Sequence, residues 1–324
     1  MNLTLLSSPL QGFTDFRFRN AFHTFFGGID TFYAPYIRLD GQKEMKSSTL
    51  RDILPKNNPN LVLIPQIMTN DADDFLLVAK RVQELGYHEL NWNLGCPYPM
   101  VTKRGMGSGL LNQPEKIAQV LTKVHGESNI KVSVKMRLGY DDPTEIFKVL
   151  PVLNHFPLQN IAIHPRIGKQ LYKGEVNLEA FAQCLQMTQH TVCYNGDITS
   201  VESFQEMAVR FPTISHWMIG RGLIADPFLP SMIKSKQLTY PVNRIELFRK
   251  FHDTLFDNYQ QAYSGSSHLL MKMVSFWEYF TTSFPNSPKG YKKLKKAKNI
   301  MAYEEAVREI LIVSNECTDQ MKNR

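Results

Sequence analysis

The sequence Asn91-Trp-Asn-Leu-Gly-Cys96-Pro97, with Lys103-Arg-Gly-Met-Gly-Ser-Gly-Leu-Leu111 after it, predicts an apolar strand that ends at a cysteine and leads into a glycine-rich loop. A helix should begin beyond the loop, because Pro114 and Glu115 are typical of a first helical turn. Glycines let a backbone approach a ligand closely, so a thiol at this strand end is a candidate nucleophile or proton donor. The alternative is that Cys96 is only a small buried apolar residue.

The same unit of strand, loop and helix recurs along the rest of the chain. Helix-period segments such as Asp71–Leu85, Gln113–Val124 and Val201–Val209 lie between apolar runs. Eight such runs predict strands: Leu3–Leu10, Thr31–Ile37, Leu61–Ile67, Glu89–Cys96, Ile130–Arg137, Asn160–Pro165, Thr191–Gly196 and His216–Arg221. This alternation favours an α/β fold, a closed parallel (β/α)8 TIM barrel. A doubly wound open sheet is the alternative, but no G-x-G-x-x-G follows the first strand.

The alternation stops after Tyr240-Pro241. From there, Arg244–Tyr263, Ser266–Phe284 and Ala302–Val313 have the spacing of amphipathic helices. We therefore predict a catalytic TIM barrel over residues 1–240 and a small all-helical domain over residues 241–324.

The charge of the chain is basic and uneven. The net charge is +7, and residues 242–324 carry 13 basic and 9 acidic side chains. Six lysines fall between Lys289 and Lys298. A charge run of this kind is often only a solvated helix face, but its density also suits a polyanion, since each phosphate contact releases a counterion.

The four cysteines show no C-x-x-C spacing, which argues against both a disulfide framework and a metal cluster. The N-terminus lacks the features of a secretory signal, and no apolar run is long enough to cross a bilayer. We therefore expect a cytoplasmic, metal-free monomer with no membrane partner, in which Cys96 is a free thiol.

Polar residues collect where the predicted strands end, which in a barrel of this type is where the chemistry occurs. Lys135 and Arg137 alternate with apolar neighbours, so both should point into the barrel. An unpaired charge there costs several kcal/mol, so an anionic or strongly hydrogen-bonding group should meet them. The turns Asn195-Gly-Asp197 and Gly220-Arg-Gly222 imply a phosphorylated cofactor. The other strand-end candidates are Gln66, Asn93, Cys96, His164 and Arg166.

With these motifs the chain resembles the flavin-dependent tRNA-dihydrouridine synthases. The ordered set of motifs is specific and spans the predicted barrel, whereas the helical tail matches loosely. The matching segments are Ser8–Asp15, Asn93–Pro97 with its glycine loop, Val134–Gly139, His164–Arg166 with Tyr172–Gly174, Asn195–Ile198 and Met218–Gly222. The sequence departs from the family at Ser8 and Leu10 (commonly Ala and Met), at Asn91 (commonly Asp), and at Pro165 and Ile167 (commonly Gly and Thr).

The resemblance implies bound FMN, NADPH as co-substrate, and tRNA as the partner. Cys96 would be the catalytic proton donor. The residues implied in binding FMN are Ser8, Pro9 and Leu10 along the ring, Gln66 and Lys135 at its pyrimidine edge, His164 nearby, and Asn195, Gly196, Asp197, Gly220 and Arg221 at the phosphate. Those implied in binding substrate or RNA are Tyr36, Arg38, Asn93, Lys103, Arg104, Arg166, Lys272, Lys292 and Lys293.

The implied reaction reduces the 5,6 double bond of a uridine, with hydride from the flavin to C6 and a proton from Cys96 to C5. A thiol suits this role, because its ordinary pKa of about 8.5 keeps it mostly protonated at neutral pH. The target base must first leave the RNA stack. Two alternatives remain open: a flavin barrel that reduces a free pyrimidine, and a tRNA-binding factor with a vestigial flavin site.

Overall fold

In the part of the chain that the structure describes, nine short strands form one sheet in which all neighbours are parallel. The structure is a computed structural model, and it describes residues 3–42, 44–284 and 288–322, with side chains through residue 313. The sheet order is β3-β2-β1-β9-β8-β7-β6-β5-β4. The strands are β1 (Thr4–Ser7), β2 (Thr31–Tyr33), β3 (Leu63–Ile64), β4 (Gln66–Ile67), β5 (Glu89–Leu94), β6 (Lys131–Gly139), β7 (Leu158–Ile167), β8 (Val192–Tyr194) and β9 (His216–Ile219).

The sheet closes on itself through its third strand. β3 and β4 are the two halves of one predicted run, separated by Pro65, which has no N–H to give to a strand ladder. β3 pairs with β2, and β4 pairs with β5. The two halves thereby join the two ends of the sheet, so the predicted eight-stranded parallel barrel is confirmed and the open doubly wound sheet is wrong.

Helices follow most strands, and the helices predicted from periodicity are all present. Helix α3 shows why: Asp71 accepts a hydrogen bond from Asp74 N at 2.9 Å, which caps the first turn. Its buried residues Phe75, Val78, Ala79 and Val82 form one apolar face. The helices are α1 (Phe16–Phe25), α2 (Ser47–Ile53), α3 (Ala72–Glu84), α4 (Pro99–Thr102), α5 (Pro114–Glu127), α6 (Ile146–Leu153), α7 (Leu178–Met187), α8 (Val201–Arg210), α9 (Arg221–Ala225), α10 (Leu229–Ser235), α11 (Arg244–Gln260), α12 (Ser266–Phe280), α13 (Pro288–Lys296) and α14 (Ile300–Lys322).

The chain divides into two compact units. The first takes in the chain up to Phe16, Ile29–Ile198 and Gln205–Gly220, and it holds the barrel strands. The second takes in Arg17–Gly28, Thr199–Phe204 and the chain from Arg221 onward. The functional boundary at residues 240/241 stays a prediction.

Inside the first unit, inward-facing residues of several strands form an apolar layer. Leu6, Tyr33, Ala162, Cys193 and Met218 are each at most 3% exposed and pack together, with Ile64 against them. This layer closes the middle of the barrel, so the polar strand-end residues lie above a packed floor rather than around an open pore.

The second unit has an aromatic core. Phe18 stacks on Phe276 with ring centroids 5.7 Å apart, and Phe248 packs edge-on against Phe280 at 5.1 Å. The lysine run forms a helix of its own, α13, which the sequence pattern did not predict as a separate element. A Cβ added at Gly290 would lie 2.5 Å from Ile310 Cγ1, so α13 packs closely on α14.

Residues 3–42, 44–284 and 288–322 contain no helix with the length and apolar character that a bilayer crossing requires. Within the same ranges, no three His, Cys, Asp or Glu side chains are grouped as a metal ion would need. Cys96, Cys184 and Cys193 are free thiols, as predicted for Cys96.

Candidate active site

Cys96 follows the carboxyl end of β5 and is 8% exposed. Its carbonyl accepts hydrogen bonds from Ser108 N and Ser108 Oγ, each at 3.0 Å, which ties the strand end to the glycine loop. Burial raises the pKa of the Cys96 thiol, opposed by a hydrogen bond from Tyr98 N–H and by the cations Arg137 and Arg38. The thiol therefore stays protonated at neutral pH, which suits a proton donor better than a nucleophile.

Gly107 makes the loop possible. Its φ of +56° lies in the left-handed region, and a Cβ there would lie 2.6 Å from Cys96 O and 2.9 Å from Cys96 Cβ. A side chain at this position would displace the cysteine, so the glycine is required both for backbone conformation and for space.

A chain of buried amides, which we call the amide relay, runs from Cys96 down into the barrel through Asn93, Gln66, Asn91 and Ser133. Cys96 N donates to Asn93 Oδ1 at 2.9 Å, and Asn93 Nδ2 donates to Gln66 Oε1 at 2.8 Å. Gln66 Nε2 donates to Asn91 Oδ1 at 2.7 Å, and Asn91 Nδ2 donates to Ser133 Oγ at 2.9 Å. The structure thus brings together three sequence-predicted residues, Gln66, Asn93 and Cys96.

Lys135 lies inside the barrel, paired in register with Asn93 and Ala162. Among the described residues, its ammonium group makes no hydrogen bond or ion pair. Burial, together with the neighbouring Arg137 cation, lowers the pKa of Lys135 to about 8. Its charge also acts on Cys96, so the cation and the thiol lie near each other.

Arg137 was expected to need a hydrogen-bonding partner inside the barrel, and backbone carbonyls of the protein supply it. Its Nε donates to Gly95 O at 3.1 Å and one terminal nitrogen donates to Ile167 O at 2.9 Å. Its guanidinium lies 5.4 Å from the ring centroid of Tyr172. Burial lowers the pKa of Arg137 to about 10, which leaves it charged at neutral pH. Arg137 therefore joins the ends of three segments, whereas Lys135 still lacks a partner.

His164, Arg166 and Asp197 form a second polar group beyond β7 and β8. Arg166 donates to both carboxylate oxygens of Asp197, at 2.9 and 2.5 Å, and to Gly174 O at 2.6 Å. His164 Nε2 lies 3.3 Å from the same guanidinium. Because the Asp197 carboxylate is engaged by Arg166, any contact of Asp197 with a phosphate would come from its backbone.

The ends of β8, β9 and β1 converge. Asn195 Nδ2 donates to Met218 O at 2.8 Å, and Ser8 N donates to Ile219 O at 2.9 Å. A Cβ added at Gly220 would lie 3.6 Å from Ser8 Cβ, an ordinary contact. Ser8, Asn195 and Gly220, three of the predicted cofactor residues, therefore share one region of the first unit.

Three residues predicted to contact RNA lie beside Cys96 or its loop. Tyr36 packs against the apolar cluster that contains Cys96. Arg38 and Arg104 both pair with Asp40, at 2.6 and 2.9 Å. Lys46 also pairs with Asp40, at 3.7 Å. One carboxylate is thus shared by three cations, which leaves a net positive charge beside Cys96 and its loop.

One family model matches almost the whole chain and decides its relationship. The sequence model described as dihydrouridine synthase (Dus) matches residues 5–312. The chain belongs to the dihydrouridine synthase family. The match extends through both compact units of this dihydrouridine synthase, including most of the helical tail that the sequence motifs matched only loosely.

Relatives of this dihydrouridine synthase are similar over most of their length. A tRNA-dihydrouridine(16) synthase of Neisseria meningitidis serogroup B is 26% identical over 248 residues, 74% of this chain and 73% of the relative. A tRNA-dihydrouridine synthase B of Pasteurella multocida is 27% identical over 229 residues, 70% of this chain and 68% of the relative.

Solved structures with the same fold include reductases. A morphinone reductase mutant in complex with tetrahydroNAD superimposes with a TM-score of 0.51 at 9% identity, over 72% of this chain and 86% of that one. A 2-naphthoyl-CoA reductase complex gives 0.55 at 10% identity, over 72% and 50%. At these identities the likeness establishes the barrel fold and nothing finer.

In the helical unit of this dihydrouridine synthase, the predicted RNA-binding lysines differ in their surroundings. Lys272 Nζ lies 4.7 Å from the ring centroid of Tyr259 and 4.6 Å from that of Phe276. Lys293 pairs with Glu309 at 2.6 Å, whereas Lys292 is exposed on the same helix. Lys272 therefore packs on the aromatic core, and the α13 lysines form the cationic surface.

Sequence reasoning missed three residues at this site. Tyr98 is 52% exposed, and its backbone N–H opposes the rise in the pKa of the Cys96 thiol. Asn91 and Ser133 are 0% exposed and belong to the amide relay. Their inward direction could have been read from strand alternation, since Asn91 is two residues before Asn93 and Ser133 two before Lys135.

Proposed function

We propose that this chain reduces a uridine of tRNA to 5,6-dihydrouridine, with FMN bound in the barrel and NADPH as the reductant. The family match and the names of the relatives support the reaction and the RNA class. One observation carries the proposal for the site: a half-buried lysine without a partner lies inside the barrel and acts electrostatically on a protonated thiol at the carboxyl ends of the strands.

The residues present fit a flavin. The Lys135 ammonium can donate to an electron-rich edge of a heterocycle. Gln66 is 0% exposed and is hydrogen-bonded to Asn91 and Asn93, which leaves one N–H and one oxygen lone pair of its amide for the same edge. When bound, FMN would supply the hydride that C6 of the uracil accepts. Among the other predicted residues, Ser8, Pro9, Leu10 and His164 would line the ring, and Asn195, Gly196, Asp197, Gly220 and Arg221 would hold the phosphate.

The residues of the chain have distinct proposed roles around the base. Cys96 holds a proton on its sulfur and gives it to C5. Asn93 contacts the uracil, and because its carbonyl also fixes the Cys96 peptide, base and thiol share one support. Arg166 is proposed to contact the substrate as well; its side chain is 3% exposed and is held by Asp197 and Gly174.

The tRNA is proposed to contact both regions that carry cations. Tyr36, Arg38, Lys103 and Arg104 would act near the barrel mouth, and Lys272, Lys292 and Lys293 in the helical unit. The barrel to residue 240 would then be the catalytic domain and residues 241–324 the tRNA-binding domain, in a cytoplasmic monomer. The contacts offset the few kcal/mol that extraction of a stacked base costs.

The direct test uses purified protein, NADPH and two substrates, unmodified tRNA and free uridine. Dihydrouridine should form in the tRNA and be locatable by primer extension, and the protein should show flavin absorbance. Turnover of free uridine at the rate of tRNA would instead favour the small-molecule reductase. Tight tRNA binding without reduction would favour the vestigial factor.

Gly107→Ala should slow dihydrouridine formation by about tenfold or more, because the added Cβ has no space beside Cys96 and the residue keeps a positive φ. Single-turnover rates measure this effect. Gly126→Ala is the matched control, since its Cβ would meet open space on helix α5 and should leave the rate unchanged. Equal rates for Gly107→Ala and wild type would mean that the loop does not position the thiol.

Replacing Lys292 and Lys296 by Gln should weaken tRNA binding and reduce the slope of log Kd against log salt by about one for each phosphate that the variant no longer neutralises. Both lysines are exposed on α13. Lys56→Gln with Lys80→Gln removes the same charge from exposed positions of the first unit and should have a smaller effect. An equal loss of affinity in both double variants would show that only net charge matters.

A further inference from the structure

The donors and acceptors of the amide relay match in only one orientation of its amide groups. Gly95 N and Cys96 N donate to Asn93 Oδ1, and peptide N–H groups can only donate. The Asn93 amino group must therefore face Gln66, which has to offer its oxygen. The Gln66 amino group then requires the oxygen of Asn91. The two N–H groups at the catalytic end thus dictate the orientation of each amide below them.

The lower end agrees with this direction. Asn91 Nδ2 donates to Ser133 Oγ at 2.9 Å, and Ser133 opposes the rise in the pKa of Glu89 that burial causes. Ser133 Oγ therefore serves as the acceptor that the Asn91 amino group needs once Asn91 Oδ1 faces Gln66. Tyr33, whose pKa is strongly raised by burial, also lies beside Ser133 and keeps its proton.

We propose that Asn91 is a positioning residue that fixes the amide orientation of Gln66 and, through Asn93, the peptide that presents Cys96. The effect on Gln66 as a cofactor contact rests on the proposed function, whereas the effect on Cys96 depends on this chain alone. Asn91 is 0% exposed and sits one inward position below Asn93, so it acts through its neighbours.

Loss of the Asn91 side chain would remove the group that fixes the orientation of the Gln66 amide. If the Gln66 amide turned over, its amino group would face the amino group of Asn93, and no hydrogen bond would join them. Asn93 would then have to turn its own amino group toward the N–H groups of Gly95 and Cys96, or move away. Either change loosens the peptide that holds the thiol.

Two substitutions of similar volume separate orientation from packing. Asn91→Asp keeps an oxygen toward Gln66 whether the new carboxyl is ionised or protonated, so the orientation of Gln66 is retained. Asn91→Leu fills the space but removes both hydrogen bonds. Leu90→Val is the control, because Leu90 is equally buried on the same strand and its side chain faces away from the barrel interior.

The first readout needs no cofactor: the rate at which iodoacetamide alkylates Cys96 in flavin-free protein, followed by mass spectrometry of the Cys96 peptide. Asn91→Leu should raise this rate by about fivefold or more, and Asn91→Asp should stay within about twofold of wild type. The second readout is the Kd of added FMN, which should weaken by about tenfold in Asn91→Leu and remain within about threefold in Asn91→Asp.

Leu90→Val should lower the unfolding temperature while leaving both readouts at wild-type values. The proposal is overturned if Asn91→Leu leaves the alkylation rate unchanged, or if Asn91→Asp is as impaired as Asn91→Leu. Should Asn91→Leu fail to fold, Ser133→Ala removes the acceptor of Asn91 and should shift alkylation in the same direction; an unchanged rate there also overturns it. If wild-type protein binds no FMN, the proposed function fails while the alkylation result still decides the role of Asn91.

Discussion

Cys96→Ala is expected to slow dihydrouridine formation by about 10²-fold or more while FMN content stays within about twofold of wild type. The thiol is the protonated group at the strand end, since burial raises its pKa. Its removal leaves the relay intact, because Asn93 and Ser108 bind the backbone of residue 96 and not its sulfur. The measurement is a single-turnover reaction of pre-reduced protein with unmodified tRNA, with flavin absorbance recorded on the same sample.

The pH dependence gives an independent check on the same role. A proton donor with a raised pKa stays active to higher pH than a free thiol, and the rate should fall as pH rises through that raised value. Cys96→Ser should be slow at all pH values and lack this fall, because a hydroxyl does not titrate in the range. Cys184→Ala removes another buried free thiol and should behave as wild type. A Cys96→Ala protein with a near wild-type rate would remove the thiol from the mechanism.

The barrel could be predicted from the sequence because each strand is marked by a local pattern of apolar residues. Each of the eight apolar runs overlaps a strand, but the strand ends differ from the predicted ends by two to four residues in every run except Leu61–Ile67. Arg221, predicted as the end of the last strand, instead begins helix α9. The split of the third strand could also be anticipated in part, since Pro65 cannot donate to a ladder. That its two halves join the two ends of the sheet could not be predicted, because this depends on which strands pair with β3 and β4 in the closed barrel.

The candidate site was predicted less completely, because its internal contacts join residues far apart in the chain. Single motifs indicated Cys96, Lys135 and Arg137, but not that backbone carbonyls would satisfy Arg137 while Lys135 would be left without a partner. The relay through Asn91 links three strands, and no local pattern reports such a link. A solvated helix face was one interpretation of the lysine run, but α13 was not predicted as an element with bounds, because its buried face is narrow and consists of Gly290 and Leu294.

Lys135→Met is expected to make flavin-free protein more stable at pH 7 and to weaken FMN binding by about tenfold or more. The pKa of Lys135 is about 8 in the folded chain, against an ordinary value of 10.5. At pH 7 the lysine is charged in both the folded and the unfolded state, so folding carries the full penalty of enclosing the charge. The shift corresponds to a destabilisation of up to about 3 kcal/mol, which methionine removes.

The pH dependence of this stability difference has a definite sign. Between about pH 8 and 10.5 the folded wild type has released the proton while the unfolded chain still binds it, so wild-type stability rises with pH. Lys135→Met lacks this rise, and its advantage should shrink as pH increases through that window. Urea unfolding of flavin-free proteins at pH 7 and pH 9.5 measures both values, with exposed Lys80→Met as the control for losing a lysine elsewhere.

The titration of Lys135 should also control the affinity for FMN. If the ammonium group of Lys135 faces an electron-rich edge of FMN, the wild-type affinity should fall as pH rises through about 8, and that fall should be absent from Lys135→Met. Titration of flavin fluorescence against flavin-free protein at several pH values provides the comparison. A variant that is more stable but binds FMN as tightly as wild type would place the cofactor away from Lys135. A variant that is no more stable would mean that the folded chain already compensates the charge, and the unpartnered ammonium would no longer indicate a ligand.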